Sequence, residues 1–206
     1  MNLNYLTYDT NLLENLVEFS TSVSMDTGVC ETVNEILSEI KQHGDKALLE
    51  KTKLYDGVEL DASELKIKDA EFDDSLNSLE ENEKIALKEA MENISAFHEK
   101  SFPSNWKDKN QHGAEVGEIY YPIKRVGIYV PGGNVPLVST VLMTVTLARV
   151  ANVPEVVVVT PPNEKGEVAP QLLAALSLLN ISEVYKVGGA QAVSYTHLTL
   201  PTILLV

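Results

Sequence analysis

Two short segments carry residue types suited to holding an anionic ligand: Tyr129-Val130-Pro131-Gly132-Gly133-Asn134 and Val187-Gly188-Gly189-Ala190-Gln191. Each follows a run that reads as a β-strand. At the carboxyl ends of parallel strands the loops diverge and helix N-termini offer unpaired N–H groups, and glycine lets backbone approach a ligand closely. Neither loop has the G-x-G-x-x-G spacing of a dinucleotide fingerprint or the G-x-x-x-x-G-K-[ST] of a P-loop. Tight strand-to-helix turns account for paired glycines equally well. The other candidate groups offer less. His43, His98, His112 and His197 show no H-x-x-x-H spacing. His43 at a helix end, His98 on a polar helix face and His112 beside Gly113 in a loop read as surface residues. The single cysteine, Cys30, cannot form an internal disulfide and reads as a small residue at a helix start.

These loops need strands and helices to place them. Arg125–Val130 reads as a strand ending at Pro131-Gly132-Gly133, followed by an apolar helix over Pro136–Ala151. Glu155–Thr160 is a β-branched run of the kind buried on both faces of a parallel sheet, and Pro161-Pro162 ends it. A helix over Val168–Leu179 and a strand over Glu183–Val187 complete a β-α-β-α-β pattern. Its strands begin at a spacing of about thirty residues, the length of a right-handed crossover unit.

The first half reads as helices. Val33, Ile36, Leu37 and Ile40 fall at helical spacing within Cys30–His43, and Gly44 supplies the terminator. Asp45 is placed to cap a short helix carrying Ala47, Leu48 and Leu54, which stops at the Asp56-Gly57 turn signal. From Glu83 to Lys100, Leu87, Met91, Ile94 and Phe97 form an apolar stripe opposite Glu and Lys. After Pro103 and Trp106, the residues Val116, Ile119, Tyr121 and Ile123 sit in short extended runs. The expected architecture is α/β: an N-terminal mainly helical segment (1–110), then a truncated Rossmann-like parallel sheet (111–193).

Composition bounds the function. With 206 residues, 44% of them hydrophobic and 22% charged, the chain has the make-up of a packed globular protein. The formal net charge of −14 disfavours a nucleic-acid partner. No apolar run is long enough to cross a bilayer, since Arg149 and Asn152 punctuate the stretch from Leu137 to Val153. Residues Met1 to Leu12 lack the basic start and apolar block of a signal peptide, so the cytoplasm is the expected location.

The ordered string of motifs is more specific than any one of them. Arg125-Val126-Gly127-Ile128-Tyr129-Val130-Pro131-Gly132-Gly133, Ser139-Thr140-Val141-Leu142-Met143 and Val187-Gly188-Gly189-Ala190-Gln191-Ala192 resemble the histidinol dehydrogenase family. Gly44-Asp45-Lys46-Ala47-Leu48, Tyr55-Asp56-Gly57 and the stretch from Ile94 through Phe97-His98 to Trp106 look like the same family's N-terminal signature. The resemblance implies NAD-dependent oxidation of L-histidinol to L-histidine through an aldehyde, with a zinc ion that positions the substrate. It implies a homodimer when the chain is complete, with the N-terminal helices joining the contact. By position, Tyr129 and Gln191 look like the family's NAD-contacting residues. A tyrosine offers a flat face and a hydroxyl, and a glutamine amide both donates and accepts. The structural alternatives are a strand tyrosine packed in the core and a helix-capping glutamine. The catalytic base and the zinc ligands are expected beyond Ala192, so no catalytic or metal residue is assigned, and the chain alone is expected to be inactive. Two alternatives stay open: a related dehydrogenase acting on another small alcohol or diol, and a non-catalytic α/β ligand-binding module.

Residues 194–206 break the composition, with no Asp, Glu, Lys or Arg from Ser194 to Val206. The segment resembles a translated sequencing adapter and is expected to be a non-native tail.

Overall fold

The computed structural model describes residues 27–132 and 136–198, with residues 12, 13 and 17, and describes side chains as far as residue 193. Gly133 and Asn134 of the first glycine loop therefore lie outside the described residues. So do residues 199–206 of the expected tail and the side chain of His197.

A three-stranded parallel sheet forms the centre, made of β3 (Arg125–Tyr129), β4 (Glu155–Thr160) and β5 (Val184–Lys186), in the order β3-β4-β5. The register pairs Arg125 with Glu155 and Tyr129 with Val159, then Val158 with Val184 and Thr160 with Lys186. Parallel strands need crossovers, which are α5 (Val138–Val150) between β3 and β4 and α6 (Pro170–Leu178) between β4 and β5. The outer side of β5 is not bare: the Ile67 N–H donates to the Val184 carbonyl at 2.9 Å and the Lys186 N–H to the Leu65 carbonyl at 2.7 Å.

Side-chain alternation along β4 divides the core in two. Val158 points into a cluster with Val130, Val145, Leu173, Leu176 and Val184, while Val159 points into a second with Ile40, Leu48, Val187 and Ala192. Fully burying one such valine contributes about 1.5–3 kcal/mol relative to leaving it in water. The first cluster is roofed by α5 and α6, with α3 (Asp69–Ser78) packed on α6 and α4 (Glu81–Ser101) packed on α5. The second is covered by α1 (Thr27–His43), α2 (Asp45–Tyr55) and α7 (Gly189–Leu198). The result is helix, sheet, helix in three layers, an α/β fold of the Rossmann-like kind.

Local chemistry explains the boundaries. Gly44, at φ 57°, ends α1 with its N–H on the Ile40 carbonyl at 2.8 Å. The same glycine serves as N-cap of α2, and the expected cap Asp45 instead occupies the first turn, where its charge suits the helix dipole. Helix α2 stops where expected, with the Asp56 N–H on the Thr52 carbonyl and Gly57 at φ 73°. Glu71 and Glu83 reach back to the N–H groups of Lys68 and Glu80, which start α3 and α4. Neither α3 nor the 3₁₀ turn at Ala62–Glu64 is evident from apolar periodicity.

Two expectations need correction. Leu87, Met91 and Ile94 of α4 pack on the core, but Phe97 is 69% exposed, because the last turn of α4 carries no member of the core cluster. The segment after Trp106 does not enter the main sheet. Strands β1 (Trp106–Lys109) and β2 (Glu115–Glu118) form a separate antiparallel hairpin with every residue exposed. Its turn is set by Asn110, whose Oδ1 accepts the N–H groups of His112 and Ala114, and by Gly113 at φ 81°. Residues 119–124 then run without regular structure to β3.

Candidate functional site

The three strands end on one edge, and the loops that leave them converge there. Val130 carries the β3–β4 pairing one residue further, donating to the Val159 carbonyl at 2.9 Å, and is itself buried. Pro161, just past β4, then sits between the two glycine loops. A Cβ on Gly132 would lie 2.4 Å from Pro161 Cγ, and one on Gly188 would lie 2.5 Å from Pro161 Cβ. Real carbon contacts optimise at about 3.5–4.0 Å, so both positions exclude any side chain. Glycine at 132 and 188 lets the loops after β3 and β5 close on the loop after β4.

Helices α5 and α6 lie on one face of the sheet, whereas α7, leaving β5, lies on the other and reaches back to β3. Open α/β sheets bind ligands outside the carboxyl ends of their strands. A cleft of about 730 Å³ opens at this edge, lined by Asp56, Gly132, Pro161, Asn163, Glu167 and Leu172 among others.

Tyr129 and Gln191 both stand at this carboxyl edge, on the two strands or loops that flank β4. Tyr129 ends β3 and is 39% exposed. Gln191 lies in the first turn of α7 and is 1% exposed. Neither lines the cleft. Gln191 Nε2 donates to Asp56 Oδ2 at 3.2 Å. An ionised carboxylate only accepts, so this contact fixes which end of the amide points at Asp56. The amide oxygen is turned towards Gly189, where a Cβ would lie 2.7 Å from it and where φ is 57°.

Asp56 is not singled out as functional by the sequence, where it figures in the turn signal before Gly57 and in the Tyr55-Asp56-Gly57 string of the family signature. Its half-buried carboxylate is held by the Gln191 amide and by the Gly188 N–H. Burial pushes its pKa above the ordinary carboxylate value, and the two hydrogen bonds oppose that rise without cancelling it. The partners are 135 positions apart, so no local motif could have announced the pair. Among the described residues, no three His, Cys, Asp or Glu side chains gather as a metal site requires. His43 and His112 are exposed, and His98 packs edge-on against Phe97 at the end of α4.

Comparison with known proteins adds an independent line. The family model described as histidinol dehydrogenase matches residues 20–203. The histidinol dehydrogenase of Symbiobacterium thermophilum is 40% identical over 174 residues, which cover 83% of this chain and 40% of that protein. That of Nitrosomonas europaea is 38% identical over 195 residues, covering 93% of this chain and 44% of the relative. Among solved structures, histidinol dehydrogenase from Elizabethkingia anophelis superposes with a TM-score of 0.79 at 30% identity, over 85% of this chain and 40% of that one. The chain thus spans roughly two fifths of the length of each of these proteins.

Proposed function

This chain belongs to the histidinol dehydrogenase family, and from that premise we propose that it forms the cofactor side of the cleft in which the whole protein oxidises L-histidinol to L-histidine with NAD. The observation that supports this most directly is the open cleft at the carboxyl ends of the parallel strands, with the Asp56 carboxylate fixed by Gln191 in its lining. NAD, when bound, would supply the hydride acceptor, one molecule for each of the two two-electron steps from alcohol through aldehyde to acid. The chain's own contribution is binding and orientation. Tyr129 offers a ring face and a hydroxyl at the end of β3, and the Gly132 backbone admits close approach. Gln191 acts from beneath the second loop with its amide orientation set by Asp56.

The zinc implied by the family finds no matching ligand set among the described residues. Its ligands and the catalytic base are assigned to the share of the family's length that this chain does not span. On this reading the 206-residue chain forms no NADH from histidinol, while NAD perturbs the amide resonances of the loops at Gly132 and Gly188. Turnover by the chain alone would overturn the division of labour, and a spectrum indifferent to NAD would overturn the cofactor assignment. We also propose that the whole protein is a cytoplasmic homodimer. The exposed apolar side chains of Phe97, Phe102, Trp106, Tyr121 and Ile123 support an interface near the end of α4 and the hairpin. Sedimentation of the fully active protein as a monomer at low concentration would refute it.

A further inference from the structure

The cleft lies between the loop after β3 and the loop after β4, with Gly132 on one side and Pro161 to Leu172 on the other. In a doubly wound sheet this is where the adenosine half of a dinucleotide rests, and a carboxylate there accepts hydrogen bonds from ribose hydroxyls. Such a carboxylate ordinarily comes from the end of the second strand of the unit. Here that strand ends in Thr160-Pro161-Pro162, which has none to give. Three acidic residues line the cleft: Asp56, Glu164 and Glu167. Glu164 and Glu167 are exposed on a turn organised by Asn163, whose Oδ1 accepts the N–H groups of Lys165 and Glu167. Asp56 alone of the three is half-buried and oriented by two donors, the Gln191 amide and the Gly188 N–H. A carboxylate has about four acceptor positions, so two such donors leave capacity for further hydroxyls.

Resting on the dinucleotide reading above, we propose that Asp56 is a specificity-determining residue of the cleft: its carboxylate, held by Gln191 and Gly188, accepts the hydroxyls of a ribose and rejects a ribose that carries a 2′-phosphate. The acidic group comes from the end of α2, outside the β-α-β unit, and is carried to the sheet edge by the packing of α1 and α2 on α7. Rejection follows from like charge, since a phosphate placed at Asp56 would enter a cleft whose lining also holds Glu164 and Glu167, against Lys165 as the one cation among the described lining residues.

The test is a nuclear magnetic resonance titration of the 206-residue chain with NAD, with NADP and with the 2′-deoxyadenosine analogue of NAD. It is repeated for Asp56→Ala and Asp56→Asn, with thermal melting as the control for folding. The unsubstituted chain is expected to bind NAD about tenfold more tightly than either other compound, the scale of one hydrogen bond to a charged acceptor. In Asp56→Ala both preferences fall to near one. In Asp56→Asn the side chain still accepts from a hydroxyl but no longer repels phosphate, so the preference over the deoxy analogue persists in part while that over NADP is lost. If Asp56 only tethers α2 to the glycine loop, the substitutions weaken all three compounds together and leave both ratios unchanged, which overturns the proposal and spares the dinucleotide reading. If the folded, unsubstituted chain binds none of the three, the dinucleotide reading fails and the proposal falls with it.

Discussion

Pro161 makes different contacts with the two glycine loops, and a double-mutant cycle can separate them. Gly132→Ala would put a methyl 2.4 Å from Pro161 Cγ and 3.2 Å from both Pro161 Cδ and the Pro161 carbonyl oxygen. Gly188→Ala would put one 2.5 Å from Pro161 Cβ and 2.9 Å from Asp56 Oδ1. Each overlap exceeds what a rotamer change relieves, because the proline ring is rigid, and overpacking of this kind costs about 1–3 kcal/mol. At about 2–4 °C per kcal/mol for a chain of this size, each substitution lowers Tm measurably. Pro161→Ala removes Cγ and Cδ but keeps Cβ. It should therefore rescue Gly132→Ala, with a coupling of about 1–2 kcal/mol, and leave Gly188→Ala uncoupled to within about 0.5 kcal/mol. Urea unfolding of the singles and the two doubles measures both couplings. Equal rescue of the two glycine variants, or a neutral Gly132→Ala, would refute the claim that these glycines exist to admit Pro161.

Three further outcomes follow from the same structure. Arg125 bridges the amino ends of all three strands, with Nη2 on Glu183 at 2.6 Å and Nη1 on Glu155; Arg125→Met leaves two carboxylates facing each other and should cost about 1–2 kcal/mol in urea melts, whereas Glu155→Gln, at an exposed partner, should cost less than about 1 kcal/mol. Leu176→Ala, at a position with no solvent exposure, should cost about 2–5 kcal/mol, while Met143→Ala on the outer face of α5 stays within about 0.5 kcal/mol. Asp56 has a folded pKa raised above its unfolded value, so its contribution favours the fold below the ordinary carboxylate value of 3.8 and is lost as pH rises through the folded value. The stability of Asp56→Asn relative to the unsubstituted chain should accordingly rise between about pH 4 and pH 7, and a difference that falls over that window would reverse the sign of the argument.

The sheet was legible because its residues carry the signal twice. Glu155–Thr160 is both β-branched and continuously apolar, and the structure buries Val157, Val158 and Val159 from both sides, so composition and environment agree. The ends of α1 and α2 were legible for a different reason, since Gly44 and Gly57 both adopt positive φ, where glycine carries no penalty. Helix α3 escaped notice because its sequence, Asp69-Ala70-Glu71-Phe72-Asp73-Asp74-Ser75-Leu76-Asn77-Ser78, has too few apolar positions to show a period. It is held by Phe72 against α6 and by the Glu71 reach-back. The hairpin shows the converse failure. Val116, Ile119, Tyr121 and Ile123 read as short extended runs, yet these side chains are exposed, and an extended run says nothing about which sheet a strand joins.

At the site, the sequence pointed to the right edge of the sheet for reasons that do not distinguish ligand binding from packing. The glycines at 132 and 188 are required by Pro161 whether or not anything binds, so their presence alone carries no information about a cofactor. Gln191 is likewise satisfied internally through Asp56. What packing leaves unexplained is a carboxylate that burial disfavours, fixed by two donors and facing a cleft. A turn after α2 could have ended in a neutral residue at lower cost to the fold, and a group kept charged against that cost is a stronger sign of function than a glycine doing what only glycine can. That sign came from Asp56, a residue 135 positions from its partner, where no spacing rule applies and only the fold makes neighbours. The family string led to the cleft, and the energetics within it single out the residue on which its specificity is proposed to turn.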